Sequence, residues 1–333
     1  MTRRLLLVTG GAGFVGSNIV GRLCEAGELD VAVCDRLGRA DEGRWRNLAK
    51  HAIADLVAPE HMFAWLEDAG DRLEAVIHMG AISSTTEDDA DLVLAVNFGL
   101  SRDLWRWCAK AGVRLIYASS AATYGDGSRG FSDDNDPSAL AALRPLNVYG
   151  WSKALFDLFA VREAARGGAP PQWAGLKFFN VFGPNEAHKG PMKSVAAQIW
   201  PDVAAGRIVR LFKSYRANVP DGGQVRDFVY VRDVADVVDW LLARPDVSGI
   251  FNVGSGRARS FKALAEAVFA AAGAPPKIEY VEMPEALRAR YQYFTEADLS
   301  RLRAAGYGGQ PTPLEDGIGD YVRSYLSQAD PYR

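Results

Sequence analysis

Val8-Thr9-Gly10-Gly11-Ala12-Gly13-Phe14-Val15-Gly16 is the stretch from which the rest of the chain can be read. An apolar run, Leu5–Thr9, enters it and an amphipathic stretch, Gly16–Ala26, leaves it, so the order is strand, tight turn, helix. The glycines satisfy two spacings together, GxGxxG from Gly11 and GxxGxxG from Gly10. Without side chains the backbone can turn sharply and approach a pyrophosphate, whose charge is met by free amides and the positive end of the helix dipole. A glycine loop can equally be a plain turn. Asp35, closing the next apolar run Val31–Asp35, argues for a ligand, because a carboxylate there accepts the ribose hydroxyls of a bound dinucleotide. Gly10, Gly13, Phe14, Val15, Gly16 and Asp35 are therefore the first candidate cofactor contacts.

Arg36 follows Asp35 directly, and Arg39, Arg44 and Arg46 come soon after. A guanidinium pairs well with an adenosine 2′-phosphate, so Arg36 and Arg44 favour NADP over NAD as the cofactor. NAD on Asp35, or a solvated basic loop, are the plainer alternatives.

Beyond the loop, Ala75–Met79, Leu115–Ser119 and Leu176–Asn180 read as strands, with helical segments near Leu92–Ala111 and Tyr149–Arg166. Such alternation predicts a doubly wound parallel α/β sheet, the Rossmann arrangement. Gly167-Gly168-Ala169-Pro170-Pro171 stops the last helix. The pattern then loosens into two polar loops, Gly183–Gly190 and Tyr215–Gln224, with one helix, Met192–Ala205, between them; both loops are candidates for gripping a ligand. Asp227–Val231 and Gly249–Val253 read as strands returning to the sheet. The expected organisation is a dinucleotide-binding domain of residues 1–172 plus about 227–260, and a smaller α/β C-terminal substrate domain of 173–226 plus about 261–333.

With 333 residues, 48% of them apolar, the chain can bury a large core. Its net charge of −3 is spread among interspersed acids and bases, and no basic tract exists to neutralise a nucleic-acid backbone. Cys24, Cys34 and Cys108 have no paired spacing, and the first apolar run is too short for a signal sequence or a membrane span. Nucleic acid and membrane are therefore not expected partners, and the reducing cytoplasm is the expected location.

Tyr149-Gly150-Trp151-Ser152-Lys153 puts a phenol and an ammonium one helical turn apart, where both can face one ligand. A free tyrosine titrates near 10, so partial ionisation at neutral pH takes a shift of roughly three units, about 4 kcal/mol. Lys153 and the positive nicotinamide of an oxidised cofactor are the sources of that shift. Just before it, Tyr117-Ala118-Ser119-Ser120-Ala121-Ala122-Thr123-Tyr124-Gly125 ends a strand, which is where doubly wound sheets bind ligands. Ser120 there can hydrogen-bond a substrate hydroxyl or a developing oxyanion. An exposed i,i+4 pair and a serine-rich turn are the plain readings of the same residues. His78 and His188 have no partners at metal-ligand spacing, and no metal is expected.

Together these features resemble the extended short-chain dehydrogenase/reductase family. The glycine loop, His78-Met79-Gly80-Ala81, Asn97, the serine segment and Tyr149/Lys153 come in the family's order, and the match resumes at Arg226-Asp227-Phe228-Val229-Tyr230-Val231-Arg232-Asp233. The resemblance implies that Met79, Gly80, Ala81, Ser83, Asn97, Lys153, Val181 and Lys189 also meet the cofactor. Ser120-Ala121-Ala122 stands where the family's dehydratases carry a Thr-Asp-Glu-like segment, so no group is evident to drive loss of water.

Longer stretches narrow the likeness: Ala81–Glu87, Ala118–Gly125, Phe179–Pro184 through His188–Met192, and Arg290-Tyr291-Gln292 resemble the bacterial ADP-glyceromanno-heptose 6-epimerases, over essentially the full length. That family inverts C6 of the heptose in ADP-heptose for the lipopolysaccharide core, through a transient 6-ketone formed by bound NADP. The resemblance implies two acid–base groups, Tyr149 and Lys189. It places Ser83 and Asn180 against the substrate, with Phe212, Arg226 and Tyr291 on its ADP half, and implies a homo-oligomer, a pentamer. Pro191 and Gln198 stand where relatives carry serine and histidine, and the Tyr215–Gln224 loop is longer than in relatives. The alternatives are another nucleotide-sugar epimerase or reductase, such as a UDP-hexose 4-epimerase, and a non-catalytic NADP-binding sensor. A sensor has no need to keep Tyr149, Lys153 and Ser120 together.

Overall fold

Leu5–Thr9 is apolar along its length and buried at every position, the mark of a strand covered on both faces. In the computed structural model, which describes residues 4–288 and 291–333, it lies inside a seven-stranded sheet. The strands are β1 (Leu5–Thr9), β2 (Asp30–Cys34), β3 (Asp55–Val57), β4 (Leu73–His78), β5 (Arg114–Ser120), β6 (Trp173–Phe178), β7 (Asn180–Phe182), β8 (Val209–Phe212), β9 (Val225–Tyr230), β10 (Gly249–Val253), β11 (Ala258–Ser260) and β12 (Ile278–Val281). The helices are α1 (Phe14–Ala26), α2 (Met62–Ala69), α3 (Ala90–Leu94), α4 (Leu100–Ala111), α5 (Pro137–Ala141), α6 (Val148–Ala165), α7 (Val195–Ala204), α8 (Val231–Ala243), α9 (Phe261–Ala271), α10 (Glu285–Arg288), α11 (Ser300–Ala304) and α12 (Leu314–Tyr321).

The large sheet runs β10-β6-β5-β4-β1-β2-β3, and every pairing in it is parallel. Side chains alternate across it. Leu6 and Val8 enter one core with Val33 and Ile77 beneath α1 and α8, while Leu5 and Leu7 enter the other with Val76 and Tyr117 beneath α4 and α6. The strand order reverses between β1 and β4, and a crevice opens at the strand C-termini at such a point. A second, smaller body faces that crevice. It contains a three-stranded sheet, β11-β9-β7, and the pair β12-β8, and its core gathers Phe182, Leu211, Phe228, Leu264, Val268 and Ile318. Phe14, the first residue of α1, is buried in this core, whereas Ile19 and Val20 of the same helix are buried in the large one. Among the described residues no helix is long and apolar enough to cross a membrane.

Several expectations change. β3 has no apolar run to announce it, since two of its three residues are exposed. The expected strand Leu176–Asn180 ends at Phe178, and Asn180 starts β7 in a different sheet. The expected helix Leu92–Ala111 is broken by a π turn, Ala95–Gly99, of the kind that often marks a functional position. Asp227–Val231 does not return to the large sheet, because β9 pairs with β7 and β11; β10 alone of the later strands returns. β6 lies inside the large sheet although it follows residue 172, where the change of domain was expected. Apolar alternation identifies strands but not their neighbours, which hydrogen bonding in the folded sheet selects.

One charged pair is sealed inside the large body. The Asp157 carboxylate of α6 accepts from Lys177 Nζ of β6 at 2.6 Å, Ser119 Oγ at 2.7 Å and Tyr117 OH at 3.1 Å, and Lys177 also donates to Thr123 Oγ1 at 2.8 Å. Both partners are 0% exposed. Asp157→Ala should therefore destabilise the fold by about 3–5 kcal/mol in urea unfolding, because it leaves a buried ammonium unpaired. A loss under about 1 kcal/mol would show that Lys177 does not depend on this carboxylate.

Candidate active site

At the reversal of strand order lies a cavity of about 610 Å³. Its lining includes Gly10, Gly13, Phe14, Val15 and Gly16 from the first turn, and Asp35 and Arg44 from beyond β2. Met79, Gly80, Ala81 and Ser83 follow β4, Ser120 ends β5, and Tyr149 and Lys153 come from α6. The small body adds Asn180, Val181, Lys189, Arg226 and Tyr291. A larger cleft of about 880 Å³, lined by residues such as Arg257, Glu296 and Gln310, contains none of these groups.

The glycine loop is built for close approach. Gly10 has φ +65°, and a Cβ on it would sit 2.6 Å from the Gly80 amide nitrogen. A Cβ on Gly16 would collide with the Gly10 carbonyl. α1 begins at Gly13 with no side-chain cap and no acidic residue in its first turn, which leaves its leading amides for an anion. Asp35 Oδ2 accepts from the Ala12 amide at 3.0 Å, so the carboxylate is tied to the loop. This cradle fits a dinucleotide pyrophosphate with its adenosine ribose beside Asp35.

The two arginine candidates separate. Arg44 lines the cavity, donates to the Arg36 carbonyl at 3.0 Å and stands 3.9 Å from Asp35. Arg36 is not among the lining residues; its exposed guanidinium meets Glu60 at 3.3 Å. Asn97 is fully buried and does not reach the cavity either. Its side chain binds both the amide and the carbonyl of Ile82, at 2.8 and 2.9 Å, and donates to Ser152 Oγ at 3.0 Å, fixing the 79–83 segment against α6. His78 bridges Thr9 Oγ1 at 2.7 Å and Ser101 Oγ at 2.9 Å, and burial pushes it down to about 3, so it is a neutral spacer beneath Gly80.

Tyr149 stands in the first turn of α6, which Asn147 caps by accepting from the Gly150 amide at 2.8 Å. Its side chain and Ser120 line the same cavity. Burial raises its pKa, with Ser120 opposing and the Asp157 charge adding to the rise. Lys153 donates from Nζ to the Ala118 carbonyl at 2.8 Å, and burial pushes it down to about 8 against the pull of Asp157. That ammonium, one helical turn along α6 from Tyr149, is held by a backbone carbonyl, and both side chains line the cavity. A cation brought by the ligand would add to the field that favours a phenolate.

Lys189 lies in the 3-10 turn Ala187–Met192 with Nζ 5.2 Å from the Phe14 ring centroid, and burial lowers its pKa while Glu186 opposes the fall. His188 also lines the cavity. Its Nδ1 is 3.3 Å from Asn47 Nδ2, and burial, with Arg44 and Lys189 nearby, pushes it down to about 4. Sequence reasoning passed over Glu186 and treated His188 as structural; the spacing of Glu186, one turn before Lys189, was the available signal.

On the substrate side, Arg226 is held between two rings, Phe261 at 5.5 Å and Tyr291 at 5.3 Å, and presents a buried cation at the cavity wall. Phe212 is not among the lining residues; it packs edge-on against Tyr291 at 6.4 Å. Arg290 lies outside the described residues. No lining residue comes from Tyr215–Gln224, which folds back on its own body through Ser214 and Asp221 and the Tyr215 amide to Tyr293 OH. Pro191 and Gln198 face each other instead of the cavity: Gln198 Nε2 donates to the Pro191 carbonyl at 3.1 Å and the Lys193 carbonyl at 2.7 Å.

A glycine cradle, a tyrosine–lysine helix and a second lysine thus meet in one crevice. The sequence profile of the NAD dependent epimerase/dehydratase family matches residues 6–254. The chain belongs to that family. Relatives from Nitratidesulfovibrio vulgaris (strain DP4) and Fusobacterium nucleatum, each named ADP-L-glycero-D-manno-heptose-6-epimerase, are 48% and 45% identical over 98% of this chain and 100% of their own. The Helicobacter pylori structure of that name matches with a TM-score of 0.80 at 28% identity, over 98% of this chain and 97% of its own. The UDP-glucose 4-epimerase of Thermus thermophilus, in complex with NAD, matches with 0.72 at 29%, over 95% and 96%. Two sugar chemistries share the fold, so fold alone does not select between them.

Gly10→Ala should weaken dinucleotide binding at least about tenfold, or ~1.4 kcal/mol, because the methyl group meets Gly80 and the positive φ is strained. Unchanged affinity in calorimetric titration would remove this loop from the cofactor site.

Proposed function

We propose that this chain inverts C6 of the heptose in ADP-D-glycero-D-manno-heptose to give the L-glycero form, for lipopolysaccharide core assembly, with tightly held NADP as redox partner. One observation carries the reading: Tyr149 and Lys189, two proton-transferring side chains on different elements, line the same cavity as the glycine cradle and Arg226. An ordinary dehydrogenase needs one such group. An epimerase that oxidises and re-reduces one carbon from opposite faces presents the substrate oxygen in two places and gains from two.

Bound nicotinamide supplies reversible storage of the C6 hydride. The protein does the rest. As the hydride leaves C6, one side chain takes the hydroxyl proton and a 6-ketone forms; the sugar turns, and the other side chain gives a proton to the oxygen as the hydride returns. The electrons balance within the cycle, and only the configuration changes. Ser120, on the same cavity wall as Tyr149, is placed to hold the C6 oxygen. Asn180 and Ser83 supply polar contacts to the sugar. Arg226 suits the diphosphate of the substrate, because its plane is fixed by Phe261 and Tyr291. The dehydratase reading lacks an acid: Ala121 and Ala122 follow Ser120.

Arg44 supports NADP over NAD through its position on the cavity wall beside Asp35, whereas Arg36 gives no support. Cys24, Cys34 and Cys108 are free thiols, which suits the cytoplasm. The likeness to relatives in sequence also supports a homo-oligomer, and the crevice between the bodies supports a division into dinucleotide and substrate domains.

Protein gently denatured after purification should release NADP, and rebinding should prefer NADP over NAD at least about tenfold, about 1.4 kcal/mol. An equal preference for NAD overturns the cofactor assignment. Tyr149→Phe and Lys189→Met should each slow epimerisation by roughly 10² or more, while dinucleotide and nucleotide-sugar binding persist. Wild-type turnover in Lys189→Met means that a single acid–base group suffices.

A further inference from the structure

Glu186 is 1% exposed, and protein donors surround its carboxylate. Oε2 accepts from the Ser194 amide at 2.6 Å; Oε1 accepts from Ser194 Oγ at 2.6 Å and from Tyr321 OH at 3.0 Å. Its carbonyl accepts from the Lys189 amide at 3.0 Å. One side chain thus joins both ends of the turn that carries Lys189 and fastens that turn to α12. Ser194 is in turn the cap of α7, accepting from the Ala197 amide at 3.3 Å.

Neutral donors satisfy the geometry of a carboxylate, but they do not neutralise its charge. Among the described residues no lysine or arginine forms an ion pair with Glu186; burial raises its carboxyl, and the Lys189 charge works against that rise. A buried charge without a direct partner is costly, and where one persists a use for it is expected. Other groups near Lys189 do not supply the same field. Arg44, from the loop after β2, is positive, as is Lys193 on the cavity wall; His188 is neutral; α1 offers the Phe14 ring; Tyr321 of α12 is a phenol that donates to Glu186. Burial lowers the pKa of that amine, and the Glu186 charge works against the fall.

We propose that Glu186 is the positioning carboxylate of Lys189, holding the turn that presents the amine as donor for the second half of the reaction and setting a buried carboxylate one turn before it. This rests on Lys189 being an acid–base group. The sign of the effect follows from the opposing influences. With the carboxylate charge removed, burial acts alone and the ammonium loses its proton at lower pH.

The full-length, cofactor-loaded enzyme tests this through kcat against pH. Glu186→Gln keeps the shape and most acceptor capacity while removing the charge. Its basic limb should move to lower pH, with kcat above that limb down about tenfold, a part of the ~10²–10⁴ that a general acid contributes, and KM within about twofold. Ser194→Ala and Tyr321→Phe loosen the turn but keep the charge, so they should lower the thermal midpoint and leave the limb in place. The acylation rate of the Lys189 amine, followed by peptide mass spectrometry, provides the comparison without turnover and should rise in Glu186→Gln. If the amide variant does not fold, Glu186→Asp carries the test: an unmoved limb with reduced kcat is expected, and a displaced limb overturns the proposal. A basic limb that moves no further in Glu186→Gln than in Ser194→Ala also overturns it, since Glu186 is then only a staple. Lys189→Met tells the two failures apart: wild-type turnover there removes the acid–base reading itself, whereas an inactive Lys189→Met beside an unmoved Glu186→Gln limb removes only the role of Glu186.

Discussion

Backbone meets backbone where β1 ends, with Gly10 so close to Gly80 that a Cβ on Gly10 would sit 2.6 Å from the Gly80 amide nitrogen. The reversal of strand order between β1 and β4 creates the crevice, but this approach sets its depth. It brings the free amides of α1 to one wall, and Thr9 fixes the other by accepting from the Gly80 amide at 3.1 Å. The 79–83 segment then runs to Asn97, and Asn97 to Ser152 beside Lys153. The cofactor cradle and the catalytic helix are thereby connected by a short chain of hydrogen bonds rather than by packing alone.

The second constraint is burial of charge. Lys153, Lys177, Asp157, Glu186 and Arg226 are all largely withdrawn from water, and each is held differently. Asp157 and Lys177 neutralise each other; Lys153 rests on a backbone carbonyl; Arg226 rests on two aromatic faces. In a site of this kind small geometric changes alter protonation, because low dielectric magnifies each neighbour. That is the condition under which a tyrosine and a lysine exchange protons with a substrate near neutral pH.

The small body adds specificity to a common frame. Hexose and heptose epimerases share the fold, and here the small body's share of the cavity draws on the loop after β7, on β9 and on Tyr291. Gln198 of α7 donates to the carbonyls of Pro191 and Lys193, so it braces the turn ahead of that helix instead of lining the cavity. The same turn is docked to the dinucleotide side: Asn18 donates to the Pro184 carbonyl, Asn185 to Ser17 Oγ, and Asn47 to the carbonyls of Ala12 and Asn185. The start of α1 and the loop that leads to Lys189 are therefore tied together by hydrogen bonds.

Local features were legible from the residues alone. The glycine spacing required a strand, a tight turn and a helix start; apolar alternation required a parallel sheet; and the i,i+4 spacing placed Tyr149 and Lys153 on one helical face, because each depends on neighbours close along the chain. Resemblance extended this to Lys189 and Arg226, both of which line the cavity. Tertiary structure decided what depends on distant partners. It turned Arg36 toward Glu60, withdrew Asn97 and Phe212 from the cavity, gave β6 to the large sheet and β9 to the small one, and kept the Tyr215–Gln224 loop away from the site. It also supplied Glu186 with Ser194 and Tyr321, the latter 135 positions away. Spacing governs which residues share an element, whereas hydrogen-bond pairing, burial and field arise only when elements from remote parts of the chain meet.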